Sequence, residues 1–160
     1  MAISLMHESI DADRSNPLVF LNLGKTFYIC SKYNEAISAF QNSIRLNQNI
    51  SETWFCLGNA LRETGRNDEA IQCYYLALKL NNLHFGACLN LGVILKETGR
   101  IEESAQIMLK LIELHPKYAP AYVILHESST TKIHKENIFQ KHEKLFLATV
   151  NKYVKDFHKT

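Results

Sequence analysis

Trp54-Phe-Cys-Leu57-Gly58-Asn-Ala-Leu61-Arg-Glu-Thr-Gly65-Arg-Asn-Asp-Glu-Ala70-Ile-Gln-Cys-Tyr74-Tyr-Leu-Ala77 decides the fold, because the chain repeats its plan on either side. Leu57-Gly58 returns as Leu23-Gly24 and as Leu91-Gly92, 34 residues away in each direction. Ala70 returns as Ala36 and Ser104, and Tyr74 as Phe40 and Met108, at the same phase. A fixed period of this length marks stacked repeats, since one such unit cannot bury its apolar face alone. Inside the stretch, Trp54, Leu57 and Leu61 fall at i, i+3 and i+7, one stripe of a helix. Gly58 lets a neighbouring helix approach, and Gly65 stops the first helix in the left-handed conformation. Asn67-Asp68 is expected to cap the next helix with short polar side chains. Ala70, Tyr74 and Ala77 then give that helix a small-large-small face.

Each unit therefore reads as two antiparallel helices and a short turn. The predicted fold class is all-α, a right-handed solenoid of antiparallel helix pairs with a C-terminal capping helix. Residues 17–50, 51–84 and 85–118 form three units. Ser31 stands in the first where the others have glycine, so that turn is expected to be less tight. Residues 1–16 read as the second helix of a partial repeat, with Ala2, Ile3, Met6, Ser9 and Ile10 at its phase. A face left without its partner helix would fray, or associate weakly between chains. Residues 119–130 read as the degenerate first helix of a fourth repeat, with Tyr122 and Leu125 in phase and His126 in the glycine position. Residues 131–160 read as a basic amphipathic capping helix. There Phe139, His142, Phe146, Thr149, Tyr153 and Phe157 are spaced by three and four, and Lys141, Lys144, Lys152 and Lys155 fill the other faces. A polar outer face keeps the end of a solenoid soluble.

The pattern of an aromatic at position 4, Leu-Gly at 7 and 8, Gly at 15 and small-aromatic-small at 20, 24 and 27 resembles the tetratricopeptide repeat. The second unit fits best, with Asn82 where the family often has proline. The third substitutes Cys88 and Leu111 at two signature positions but supplies Pro116. The resemblance implies a non-enzymatic interaction module, an adaptor or scaffold that holds a protein or peptide partner in a concave groove. Positions 2, 5, 6, 9, 12 and 13 of each first helix would line it. These are Leu18, Leu21, Asn22, Lys25, Tyr28 and Ile29, then Glu52, Phe55, Cys56, Asn59, Arg62 and Glu63, then Gly86, Leu89, Asn90, Val93, Lys96 and Glu97. The candidate peptide-binding residues among them are Asn22, Lys25, Phe55, Asn59, Arg62, Asn90, Val93 and Lys96. Side-chain amides suit an extended peptide, because they both donate to and accept from its backbone.

Relatives that hold the C-terminal carboxylate of heat-shock chaperones place cations at three groove positions. From the second unit onward this chain offers Phe55, Asn59, Asn90, Pro120 and Ile124, so two asparagines match and all three cations are missing. Carboxylate capture depends on those charge-assisted bonds and is not expected here. The asparagine ladder in the repeats of O-linked N-acetylglucosamine transferases is matched by Asn22 and Asn90 and broken by Cys56 and Ile124. Residues 136–146 also faintly resemble the linker that precedes the catalytic half of those enzymes. The alternative function is therefore a severed accessory repeat region of a tetratricopeptide-bearing glycosyltransferase or sulfotransferase. The several hundred residues of a catalytic half are absent.

A net charge of +2 is too small to argue for nucleic acid. Residues 1–130 carry 11 Lys and Arg against 13 Asp and Glu, while residues 131–160 carry 7 against 3, so the basic character is confined to the tail. No run approaches the roughly 18 apolar residues of a membrane span, and the start lacks the basic region of a secretory signal. A cytoplasmic location is expected, with no membrane association. Phosphate-cradling loops and serine elbows are missing from the sequence. Asp68-Glu69 and Glu102-Glu103 fall in predicted first turns, where acids offset the helix dipole. Cys30, Cys56, Cys73 and Cys88 show no C-x-x-C spacing and are expected to be packing residues. His126, His134 and His142 lack any H-E-x-x-H partner, so neither metal nor cofactor is expected.

Overall fold

The computed structural model describes residues 15–128, whose regular structure is entirely helical. In order these are α1 (Pro17–Ile29), α2 (Tyr33–Leu46), α3 (Ser51–Glu63), α4 (Asn67–Leu80), α5 (Phe85–Glu97), α6 (Ile101–Leu114) and α7 (Ala119–Ser128). The partial helix expected before residue 15 and the basic helix expected at 131–160 lie outside the described residues. The chain divides into two compact units, residues 1–87 and 88–160. In the first, α1 packs on α2, α2 on α3, α3 on α4, and α1 also reaches α3. In the second, α6 packs on α7.

Helix α1 starts where Asn16 Oδ1 accepts the Leu18 N–H at 3.0 Å and Pro17 supplies a preset first residue. Its end is a left-handed turn with two bonds, from Ser31 N–H to Tyr28 O and from Lys32 N–H to Phe27 O, both 2.9 Å. The same pair closes α3 at Gly65 and Arg66, and α5 at Gly99 and Arg100. The Ser31 turn is thus no looser than the glycine turns, contrary to expectation. Instead Ser31 takes φ +57°, a conformation that glycine adopts without strain and serine does not. The cap expected from Asn67-Asp68 is also absent. Arg66 occupies the cap position, where its side chain accepts from no helix N–H but donates twice to Glu69 of the first turn, at 2.7 and 2.6 Å, and its carbonyl already accepts from Ala70 at 3.0 Å. The left-handed residue before it turns the chain straight into the helix, so no polar side chain is needed there.

Positions 20, 24 and 27 are fully buried in every unit: Ala36, Phe40 and Ser43; Ala70, Tyr74 and Ala77; Ser104, Met108 and Leu111. Each large member sits against the paired glycine. A Cβ on Gly58 would lie 2.7 Å from Tyr74 Cε1, and Gly24 and Gly92 face Phe40 and Met108 at still closer range. The two pairs of the first unit are also clasped by hydroxyls. Ser43 donates to Pro17 O at 2.8 Å and accepts from buried Thr53 at 3.3 Å, whereas in the next pair Ser51 donates to Ala77 O at 2.9 Å. The position-4 aromatics latch the preceding loop. Trp54 Nε1 donates to Gln48 O at 2.7 Å, and Tyr122 in the second unit donates to Pro116 O at 2.9 Å.

Candidate peptide-binding site

In the first unit, the first-helix side brings α1, α3 and the start of α5 together around one carboxylate. Glu52 lies in the first turn of α3, and its Oε1 pairs with Lys25 Nζ of α1 at 2.8 Å. Its Oε2 lies 3.2 Å from His84 Nε2. His84 Nδ1 accepts the Ala87 N–H at 3.2 Å, which caps α5 and leaves the ring proton on Nε2 to be donated to Glu52. Cys56, one turn along α3, directs its thiol to Oε1 at 3.7 Å. Partial burial disfavours the Glu52 carboxylate, yet Lys25 and then His84 outweigh it and hold its carboxyl below the ordinary value. Burial likewise opposes the Lys25 ammonium, but the bond to Glu52 raises Lys25 above its usual range. Burial, followed by the Glu52 charge, pushes the Cys56 thiol up to about 12.

Phe55 stacks on this network, its ring centroid 4.6 Å from that of His84 and 6.2 Å from that of Tyr74. Gly86 makes room for it, since a Cβ there would lie 2.8 Å from Phe55 Cζ. Asn59 accepts the Tyr74 hydroxyl at 2.9 Å. At the far end of α1, Tyr28 and Tyr33 meet edge to face at 5.5 Å. Burial raises the Tyr28 phenol, with Glu63 adding to the rise and Arg62 opposing it.

The sequence-derived candidates separate on these grounds. Asn22 is exposed, and Lys25, Phe55, Asn59 and Arg62 are half-buried in the first unit. Asn90, Val93 and Lys96 lie on α5 in the second unit, also half-buried. Two further groove positions, Leu21 and Cys56, are buried. Sequence reading missed Glu52 and His84 as a linked pair. The available signal was position: His84 immediately precedes α5, three residues before the Ala87 N–H it caps. Among the described residues, no group of three or more His, Cys, Asp or Glu side chains is placed to hold a metal ion. No described helix is long and apolar enough to cross a membrane.

Glycine-spaced helix pairs, buried 20-24-27 faces and left-handed inter-helix turns define an all-α repeat protein. The family profile "Tetratricopeptide repeat" matches twice, at residues 51–82 and 85–118. The chain is a tetratricopeptide-repeat protein. A crystal structure of MamA protein superposes with a TM-score of 0.81 at 25% identity, covering 96% of this chain and 84% of that one. YrrB, described as a TPR protein with an unusual peptide-binding site, gives 0.72 at 18% identity, over 96% and 75%. The first TPR of Spaghetti (RPAP3), bound to the HSP90 peptide SRMEEVD, gives 0.67 at 20% identity, over 71% and 90%. No curated protein matches the sequence. A relationship to glycosyltransferases is not shown by these matches.

Proposed function

We propose that this protein is a non-catalytic interaction module that holds an extended peptide segment of a protein partner against the first-helix face. The observation that carries the reading is on α1. Leu18 and Ile29 stay 51% and 81% exposed, with the exposed amide of Asn22 between them, while Leu21 and Leu23 on the same helix are buried. Leu18, Asn22 and Ile29 occupy the positions that line the groove in this family. An apolar-amide-apolar row suits a peptide, whose side chains need apolar seats and whose backbone needs a group that both donates and accepts. The peptide-bound relatives lend the same fold to this use, without extending their ligands to this chain.

Affinity capture from the source cell tests the proposal, with the Asn22→Ala variant beside the wild type. The Asn22 amide is expected to contribute about 1–2 kcal/mol to partner binding. Capture should fall steeply while the melting temperature stays within a degree or two. Undiminished capture by a folded variant would sink the assignment.

A further inference from the structure

We propose that Glu52 is an internal counter-ion that reserves the first-helix face of the first unit for uncharged, apolar peptide segments and turns acidic ones away. The inference rests on reading that face as a peptide-binding surface, and it names the class of segment the face accepts. An incoming carboxylate would seek Lys25 Nζ and His84 Nε2, and both already address Glu52, at 2.8 and 3.2 Å. The Cys56 thiol points at the same carboxylate, so each oxygen has a partner within the protein. Lys25, Glu52 and His84 are thus matched to one another before any ligand arrives.

A tethered carboxylate competes at an effective concentration of about millimolar, so a free acidic peptide at micromolar concentration gains little from Lys25. Beside these groups the α1 row that the face leaves open carries no charge: Leu18, Asn22 and Ile29, with the half-buried ring of Phe55. Glu52 is itself held in place, because its partners come from α1 and from the residue that caps α5.

Selection from a randomised, displayed peptide library tests the proposal. Wild-type protein should enrich near-neutral sequences rich in apolar residues. Glu52→Gln should enrich Asp and Glu about two- to fivefold more, the range expected for one exposed ion pair. Adding Lys25→Met to that variant should cancel the gain, which a merely structural role for Glu52 would not explain. Enrichment of acidic sequences by the wild type, or an unchanged charge profile for a Glu52→Gln protein with native helix content, would overturn the proposal. Should no variant enrich any sequence, the groove reading beneath it fails as well. A measurement on the wild type alone guards against a variant that does not fold. Binding of the acidic heptapeptide SRMEEVD as tight as that of the selected neutral peptides would overturn the idea directly.

Discussion

Truncating Asn59 removes the acceptor of the Tyr74 hydroxyl from a ring with no solvent exposure. A buried donor left without its bond costs about 1–3 kcal/mol, so Asn59→Ala should lower the unfolding free energy by about that amount. In a Tyr74→Phe background the same truncation should cost much less, because the hydroxyl is gone. A double-mutant cycle by urea denaturation reads the difference, and additive losses would contradict it. Asn59 therefore serves the helix pair first, which its groove position alone does not reveal. Glu52 gives a prediction in pH. Its folded carboxyl lies below the ordinary value, so its contribution is full above the normal carboxylate range and fades as pH falls through the lowered value. Both Lys25 and Glu52 are about two-fifths exposed, and solvent screening limits the pair to about 0.5 kcal/mol. Denaturation of wild type against Glu52→Gln should show that gap at pH 7 and a shrinking one as the pH falls below the ordinary carboxylate range.

At the scale of the element, the three glycines facing α2, α4 and α6 do not stand on equal ground. Gly24 and Gly58 meet aromatic rings, which cannot fold away, whereas Gly92 meets the terminal methyl of Met108. Alanine at 24 or 58 should cost about 1–3 kcal/mol through overpacking, and alanine at 92 clearly less, because the thioether can swing aside. Thermal melts of the three variants provide the ranking. Ser31→Gly should stabilise by about 1 kcal/mol by relieving the left-handed strain, and a lower melting temperature would show the turn is held otherwise. Leu-Gly spacing and the 20-24-27 face made the helix pairs legible in the sequence, because packing at those positions admits few side chains. The serine turn and the cap at Arg66 were not legible in the same way. Backbone bonds set both, and backbone bonds leave little trace in residue type.

For the molecule as a whole, the repeat named the fold while the site stayed mostly hidden. Groove positions follow from phase alone, so the sequence lists them only as positions. It could not tell that Leu21 and Cys56 turn inward, or that Lys25 is already matched. The pairing of Glu52 depends on contacts with residues 27 and 32 away in the chain. The four thiols offer a readout of folding. Cys30 is exposed, while Cys56, Cys73 and Cys88 are buried, and burial raises the Cys56 and Cys73 thiols to about 12. One equivalent of a thiol reagent should react promptly at pH 8, and three more only as the protein opens. Prompt labelling of all four would refute the described packing.

The hydroxyl clasps bear on how arrays of these modules could be lengthened. In the pair beginning at Ser51, the serine stands at the front and grips a main-chain oxygen of Ala77, so every tandem copy of 51–84 would carry its own fastening. A copy of 17–50 behaves otherwise. Its Ser43 also engages the follower's Thr53, and a duplicate would bring Val19 to that place, leaving the junction one hydrogen bond short.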